Sequence, residues 1–368
     1  MYRKVGHKAA MSDGDAIVTS FRVVVRDGWY NAFTDLVLWK DYYWLTYRRG
    51  TGHGGPLNVG GAPEVLRTGL PVSGGNSFAV ILRSTDLRRW HEAKVFEPPD
   101  GIVDRSGING AHFCLTDERL YAFIAAKTPQ EGGVFGRLYC TWTDDGVRWA
   151  EPDLVRMDGK YPYTFRVRHH DGRFYSAINN ASPERKRESL DLITSDDGTQ
   201  WREHSQIAAD HPKQFTEESE LHWLPDGELW CVVRSNSTAL FYRAKPPYTE
   251  WSGTDLGVYC DAPVMCSTNS KVYLAGRVKP GAATGAGGFG TTGLYHLTRG
   301  KAKLLLSLPP GGDAAYAGLI SPEPGKLVMS TYSDEAYFSD AVKPRHFPEY
   351  VHKRSECDIY VAEVELQD

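Results

Sequence analysis

Long apolar runs are missing from this chain. No stretch approaches the roughly 18 consecutive apolar residues that a membrane-crossing helix needs, so no membrane partner is expected. An excess of one charge is missing too. Lys and Arg number 42 against 46 Asp and Glu, a net charge of −4, and no basic stripe stands out, so nucleic acid is not an expected partner. Cysteine is sparse. Cys114, Cys140, Cys231, Cys260, Cys266 and Cys357 form no CxxC pair, which removes the usual zinc signature. Their placement inside apolar stretches reads as free, buried thiols. No metal and no cofactor is expected. Helical periodicity is nowhere sustained. Residues 1–16 lack the apolar segment of a secretory signal, which points to a cytoplasmic protein, or to a secreted or periplasmic one if a leader has been removed.

Aromatic residues, by contrast, make up 12% of the chain, with 10 Trp, 20 Tyr and 14 Phe beside 37 Gly and 21 Pro. Aromatics favour strands, and Gly and Pro favour turns, so the composition points to an all-β fold. A repeat organises it. An apolar strand, a short polar turn and an aromatic-rich strand recur at Asn31–Arg48, Asn109–Lys127, Tyr163–Asn179, Glu218–Arg234, Asp261–Arg277 and Tyr316–Tyr332. Turns such as Asp171-Gly172, Asp226-Gly227 and Pro324-Gly325 are hairpin chemistry. A third strand follows each pair, at Phe78–Arg83, Arg137–Thr141, Leu190–Thr194, Ala239–Arg243, Gly293–Leu297 and Asp358–Glu363.

Four-stranded units repeating in this way read as a six-bladed β-propeller. The expected blades are 26–95, 105–155, 160–207, 215–255, 258–308 and 313–368, a single domain over residues 1–368. The strand Ala16–Val25 is expected to close the ring as the outer strand of the last blade, which removes a sheet edge.

A second repeat lies between third and fourth strands. Thr194–Trp201 reads TSDDGTQW, Thr143–Trp149 reads TDDGVRW after Trp142, and Ser84–Trp90 reads STDLRRW, one residue shorter. In such turns an Asp carboxylate caps backbone N–H groups, Gly takes a positive φ and Trp fills the gap between sheets. The longer turns resemble the Asp boxes (S-x-D-x-G-x-x-W) of sialidases, and the shorter one resembles the S-x-D-L-x-x-W turns of other glycosidase propellers. In blade four, Glu218-Ser219, then Leu224-x-Asp226-Gly227-x-Leu229 and Arg234, is similar to the sialidase segment E-S…L-x-D-G-x-L…R. Tyr316-x-x-Leu319 is similar to the nucleophile segment of that family.

The resemblance implies a sialidase-like propeller and an exo-acting glycoside hydrolase that releases an acidic, carboxylated sugar from an oligosaccharide or polysaccharide. Glu218 then activates Tyr316 for attack on the anomeric carbon, and Arg234 and Arg277 hold the substrate carboxylate. Two departures accompany it. The Arg-Ile-Pro motif of the family's first blade is replaced by Asn31–Leu36, with neither Arg nor Pro, which leaves Arg48, Arg49 or Arg166 to supply the third arginine. The loop that carries the family's acidic Asp holds His53 and no Asp before Gly75, so either the substrate is not sialic acid or the acid is a histidine, for which His53 is the candidate.

Propeller geometry gathers further candidates. Inner-strand starts and second-strand ends share one face, which brings together Asn31, His112, Tyr163, Glu218, Asp261 and Tyr316 with Arg48, Asn179, Asn180, Arg234, Arg277 and Tyr332. Thr34 and Asp35 lie further along the first inner strand. Like charges this close are costly unless an anion binds or the groups pair. Asp35 and Asp261 are each candidates to form a carboxylate pair with Glu218. The Gly50–Gly75 loop, with nine Gly in 26 residues, is expected on the same face. His169-His170 falls in a hairpin turn on the opposite face and is set aside as a metal pair. Two other functions compete with hydrolysis: a polysaccharide lyase using His112, Tyr163 and Arg234 on a uronate, and a glycan-binding propeller without turnover.

Overall fold

The structure is a computed structural model and describes residues 11–12, 14–50, 77–97, 108–130, 133–158, 162, 164–181, 188–209, 215–279, 290–309, 312–334 and 356–367. Among these residues there is no helix, and the strands form six sheets of four or five strands, antiparallel except where Arg156–Met157 pairs in parallel with Gln200–Ala209. Each sheet holds one copy of the repeat. The first runs Tyr30–Trp39, Tyr42–Gly50, Phe78–Ser84 and His91–Phe96 in spatial order. The last has Ala314–Glu323 innermost, then Lys326–Ser333 and Asp358–Leu366, and its outermost strand is Ala16–Val25. Val18 pairs with Val364 and Val23 with Tyr360, so the two ends of the chain share one sheet.

The second strand of each blade is largely apolar along its middle because both its faces are covered, and its polar residues gather toward its end, as Arg234 and Arg277 do. In Lys271–Val278 every residue after Lys271 is buried. Six apolar clusters fill the gaps between consecutive blades. Phe113 packs with Trp44 between blades one and two, Phe123 with Trp201 between two and three, and Leu190 with Leu229 between three and four. Trp230 packs with Leu274 between four and five, Val264 with Met329 between five and six, and Leu45 with Val361 between six and one. Six interfaces for six blades make the ring closed. All six cysteines are free, and five of them are buried.

Two expectations need correction. Blade three was expected to begin its inner strand at Tyr163, but only Arg168–His170 pairs with the next strand. Ahead of it, the Ser176 hydroxyl donates to the Arg166 carbonyl at 2.7 Å and takes the place of a ladder bond. Tyr163 itself lies outside the described residues. The Ser84 turn is also not shorter than its counterparts. The capping carboxylates are Asp86, Asp145 and Asp197, which accept from Arg88 and Arg89, from Val147 and Arg148, and from Thr199 and Gln200. Counted from the hydroxyl residues Ser84, Thr143 and Ser195, all three turns have one length. Leu87, Gly146 and Gly198 take the same positive φ of 60°, 73° and 84°.

Candidate active site

Bulges shape the channel end of the inner strands. The ladder slips between Ala32 and Asp35, Ile108 and Gly110, Phe215 and Ser219, Asp261 and Val264, and Ala315 and Gly318. A bulge re-aims a side chain and bends its strand. At these bulges Phe33, Ala262 and Tyr316 adopt φ of 59°, 50° and 48°, which non-glycine residues hold only when their surroundings enforce it. For Tyr316 the enforcement is aromatic. Its ring lies 4.7 Å from that of Phe33, 5.8 Å from Phe165 and 6.2 Å from Tyr332, with the Arg277 guanidinium 5.6 Å over it.

So aimed, the Tyr316 hydroxyl donates a hydrogen bond to Oε1 of Glu218. The same oxygen accepts from Nη1 of Arg234 at 2.6 Å, and Oε2 accepts from the backbone N–H of Ala262 at 2.8 Å. The left-handed backbone of Ala262 thus presents an amide to the carboxylate. Burial and the Glu218 charge push the Tyr316 phenol well above the ordinary tyrosine range, against the pull of Arg234 and Arg277. Tyr316 is therefore a neutral phenol whose proton already faces Glu218. Glu218 is 6% exposed, while Tyr316 and Arg234 are half-buried and reach the channel.

Asp261 completes the group. Its Oδ1 lies 2.8 Å from Nε of Arg234, and its Oδ2 accepts from the Tyr259 hydroxyl at 2.5 Å and sits 3.8 Å from Nη1 of Arg277. Burial raises its pKa despite Arg234, and the Glu218 charge adds to the rise. Arg277 is anchored further. It donates to the Ala314 carbonyl at 2.7 Å, to Asp313 at 3.3 Å and to the Tyr332 hydroxyl at 3.2 Å. Asp313 in turn accepts from Tyr332 at 3.0 Å and from Tyr30 at 2.5 Å.

Asp35 was expected as a partner of Glu218 and lies elsewhere. It accepts from Nη1 of buried Arg166 at 2.7 Å and from the Phe113 amide at 2.8 Å. Arg166 reaches across the channel to the carbonyls of Pro263 and Ala317, at 3.1 and 2.7 Å, and to Glu220 at 3.3 Å. Arg168 grips both oxygens of Glu220 at 2.7 and 2.6 Å. Arg166 is thus committed to a buried ion network and does not stand in as an open third arginine. His112 belongs to this network, with Nδ1 3.7 Å from Asp35 and its ring 4.5 Å from Phe165. Burial and the Arg166 charge lower its pKa to about 4, so it is neutral near pH 7. Arg48 is buried over the Tyr30 and Phe33 rings, at 5.7 and 5.9 Å. His53 and most of the Gly50–Gly75 loop lie outside the described residues.

The structure therefore brings Tyr316, Glu218, Arg234 and Asp261 together, sets Arg277 beside them, and holds Asp35 and His112 apart. Tyr259, Asp313 and Glu220 were not among the candidates. Glu220 had a signal, since it follows Glu218 by two on a strand and faces the same way. Asp313 had one too, because like Asp261 it stands at the head of an inner strand. The described residues contain no group of three or more potential metal ligands. No helix among them is long and apolar enough to cross a membrane.

The fold is the six-bladed propeller of the sialidases. Trypanosoma rangeli sialidase superposes with a TM-score of 0.61 at 11% identity, over 92% of this chain and 55% of that one. The endosialidase of phage phi92 gives 0.60 at 11% identity, over 96% and 70%. A protein of unknown function from Dyadobacter fermentans DSM 18053 gives 0.73 at 15% identity, over 96% and 100%. At these identities the likeness concerns the fold alone. Among curated proteins, sucrose-6-phosphate hydrolase of Bacillus subtilis (strain 168) is 23% identical over 211 residues, 55% of this chain and 39% of that enzyme. The match thus spans well under half of that relative's length. No family model matches the chain.

Proposed function

We propose that the protein is an exo-acting glycoside hydrolase in which Tyr316 is the nucleophile and Glu218 its base. The observation that carries this reading is the hydrogen bond from the Tyr316 hydroxyl to Glu218 at a half-buried channel position. A phenol is a poor nucleophile at neutral pH, and a carboxylate already holding its hydrogen can remove the proton as attack begins. The Tyr316 oxygen bonds to the anomeric carbon while its proton passes to Glu218. The bond from that carbon to the leaving oxygen breaks, and the leaving oxygen takes a proton from an acid, for which His53 is proposed. Water then attacks the anomeric carbon and returns a proton to the acid, and Tyr316 departs with the proton held by Glu218. The hydrolase names of the sialidases and of sucrose-6-phosphate hydrolase support the class of reaction. None of these names supports the lyase alternative.

The expectation of an acidic sugar comes from the sialidase resemblance, in which Arg234 and Arg277 hold the substrate carboxylate, and it stays part of this proposal. Both arginines have carboxylate partners within the chain, Arg234 in Glu218 and Asp261, Arg277 in Asp313 and Asp261. The glycosidase reading therefore rests on the tyrosine–glutamate pair and not on an anion clamp.

A panel of neutral and acidic aryl glycosides tests the proposal. Tyr316→Phe is expected to lower turnover of the accepted glycoside by about 10³-fold or more while its binding holds within about threefold. Wild-type turnover in the Phe variant would overturn the reading in favour of a different nucleophile, and no turnover of any glycoside by the wild type would overturn it in favour of a glycan-binding propeller.

A further inference from the structure

The three capping turns between third and fourth strands share one length but differ in charge. In blade three the residue after the hydroxyl is Asp196, whose carboxylate pairs with Arg173 at 3.0 Å and with Arg202 at 2.9 Å. In blade two that position is Asp144, and Arg148 pairs with the capping Asp145 at 2.9 Å. In blade one the position is Thr85, so this carboxylate is gone. The cations around it remain. Arg83, Arg89 and His91 line a cavity of about 390 Å³ together with Tyr42, Thr85 and Asp86.

The ladder builds this cavity. Arg83 stands opposite His91 on one side and opposite Trp44 on the other. Residues directly paired share a sheet face, as do residues two apart on a strand, so Tyr42, Trp44, Arg83 and His91 all face one way. The Arg83 guanidinium lies 5.3 Å over the Tyr42 ring and 6.0 Å over that of Trp44. Its one hydrogen bond is long, 3.5 Å to the Gly146 carbonyl of blade two. Among the described residues neither Arg83 nor Arg89 has a carboxylate within ion-pairing distance. The cavity's own carboxylate, Asp86, spends Oδ1 on the Ser84 hydroxyl and the amides of Arg88 and Arg89.

We propose that this cavity is a binding site, separate from the candidate active site, for a phosphate or sulfate ester of a sugar. Two guanidinium groups without a counter-carboxylate are satisfied by an anion. Arg83, Arg89, His91, Tyr42 and Thr85 bring more N–H and O–H donors than the two oxygens of a carboxylate take up, and the three outer oxygens of a phosphate or sulfate ester match them better. The volume is within the range of small-molecule sites and exceeds what a bare oxyanion fills, and a lining polar apart from the Tyr42 ring suits a hydroxylated ring in the remainder. Tyr42 begins a strand that reaches Arg48 six residues on, about 20 Å away, so the cavity lies at the opposite end of the blade from the candidate active site. The inference thus stands apart from the glycosidase reading.

Calorimetric titration of the full chain tests it. Glucose 6-phosphate and glucose 6-sulfate are compared with glucose, glucuronate and inorganic phosphate. At least one ester is expected to bind about tenfold or more tightly than each of the other three. Thr85→Asp restores the carboxylate found at this position in the other two turns, and Arg89→Gln installs the residue that blade three has there, Gln200. Both positions are exposed, so both variants are expected to keep the wild-type melting temperature. Each is expected to weaken ester binding about tenfold or more, while Tyr316→Phe leaves it unchanged. No binding of either ester, glucuronate bound as tightly as the esters, or ester affinity unmoved in both turn variants overturns the proposal. Inorganic phosphate bound as tightly as the esters overturns the assignment of a sugar. Ester binding lost in Tyr316→Phe and kept in the turn variants would move the site to the channel and overturn it as well.

Discussion

The hydroxyl of Tyr316 donates to Oε1 of Glu218, although the two residues belong to different blades and stand 98 positions apart in the chain. The oxygen that receives this hydrogen also holds Arg234. Tyr316 and Arg234 therefore hold Glu218 in place through the same oxygen.

Glu218→Gln preserves shape and some hydrogen bonding but removes the proton acceptor. Turnover is expected to fall by about 10²–10⁴-fold, the range for a lost general base. Substrate affinity should change little, which steady-state and binding measurements on the same glycoside check together. A fall in affinity with unchanged turnover would assign Glu218 to binding instead.

Arg166 is fully buried between Asp35 and Glu220. Replacing it with Met leaves Asp35 without its guanidinium partner and Glu220 with Arg168 alone. Breaking a buried pair from one side typically costs about 3–5 kcal/mol. Urea unfolding of Arg166→Met should give a loss in that range, and a loss below about 1 kcal/mol would mean that the network contributes little to folding.

His112 sets a pH dependence of stability. It faces Asp35, Arg166 and Arg168, and burial and the arginines lower its pKa in the folded protein to about 4. Between that value and the ordinary histidine pKa the unfolded chain binds more protons than the folded one, so stability falls as pH falls through this window. The contribution is on the order of 3 kcal/mol. Asp35, whose folded pKa is lowered chiefly by Arg166 against the burial that opposes it, acts in a separate and more acidic range. His112→Gln should flatten the stability profile between about pH 6.5 and 4. An unchanged slope would show that His112 protonates freely in the folded state.

Gly318 sits two residues after Tyr316, where blades six and one meet. A Cβ there would lie 2.3 Å from the Leu36 backbone nitrogen and 2.8 Å from the Asp35 carbonyl carbon. Backbone cannot swing aside as a side chain can, so Gly318→Ala should destabilise by at least about 2 kcal/mol. Gly172→Ala is the control. It has open space but a φ of 74°, and should lose only about 1 kcal/mol. Equal losses in thermal or urea unfolding would contradict this account of the blade junction.

The fold was readable because a propeller blade writes a regular signal. Hairpin turns recur at similar spacing, and second strands are largely apolar because neighbouring blades cover both faces, as in Lys271–Val278, buried after its first residue. Inner-strand starts and second-strand ends sharing a face placed Tyr316, Glu218 and Arg234 together, and the sialidase resemblance paired Tyr316 with Glu218. The pairing of both arginines with Asp261 did not follow. It depends on bulges at Ala262 and Tyr316 whose positive φ leaves no mark in residue type, since neither position is a glycine. The commitment of Arg166 to Asp35 and Glu220 was hidden for a related reason. The segment before Arg168 leaves the ladder, so strand alternation says nothing about where Arg166 points.

Covalent trapping tests the central claim most directly. The protein is incubated with 2-fluoro glycosyl fluorides of the sugars it accepts, digested, and mapped by mass spectrometry. Tyr316 as nucleophile predicts one glycosyl adduct, on the Tyr316 phenolic oxygen, absent in Tyr316→Phe and slower to form in Glu218→Gln. An adduct on the carboxylate of Glu218 or Asp261, or one that persists in Tyr316→Phe, would contradict it.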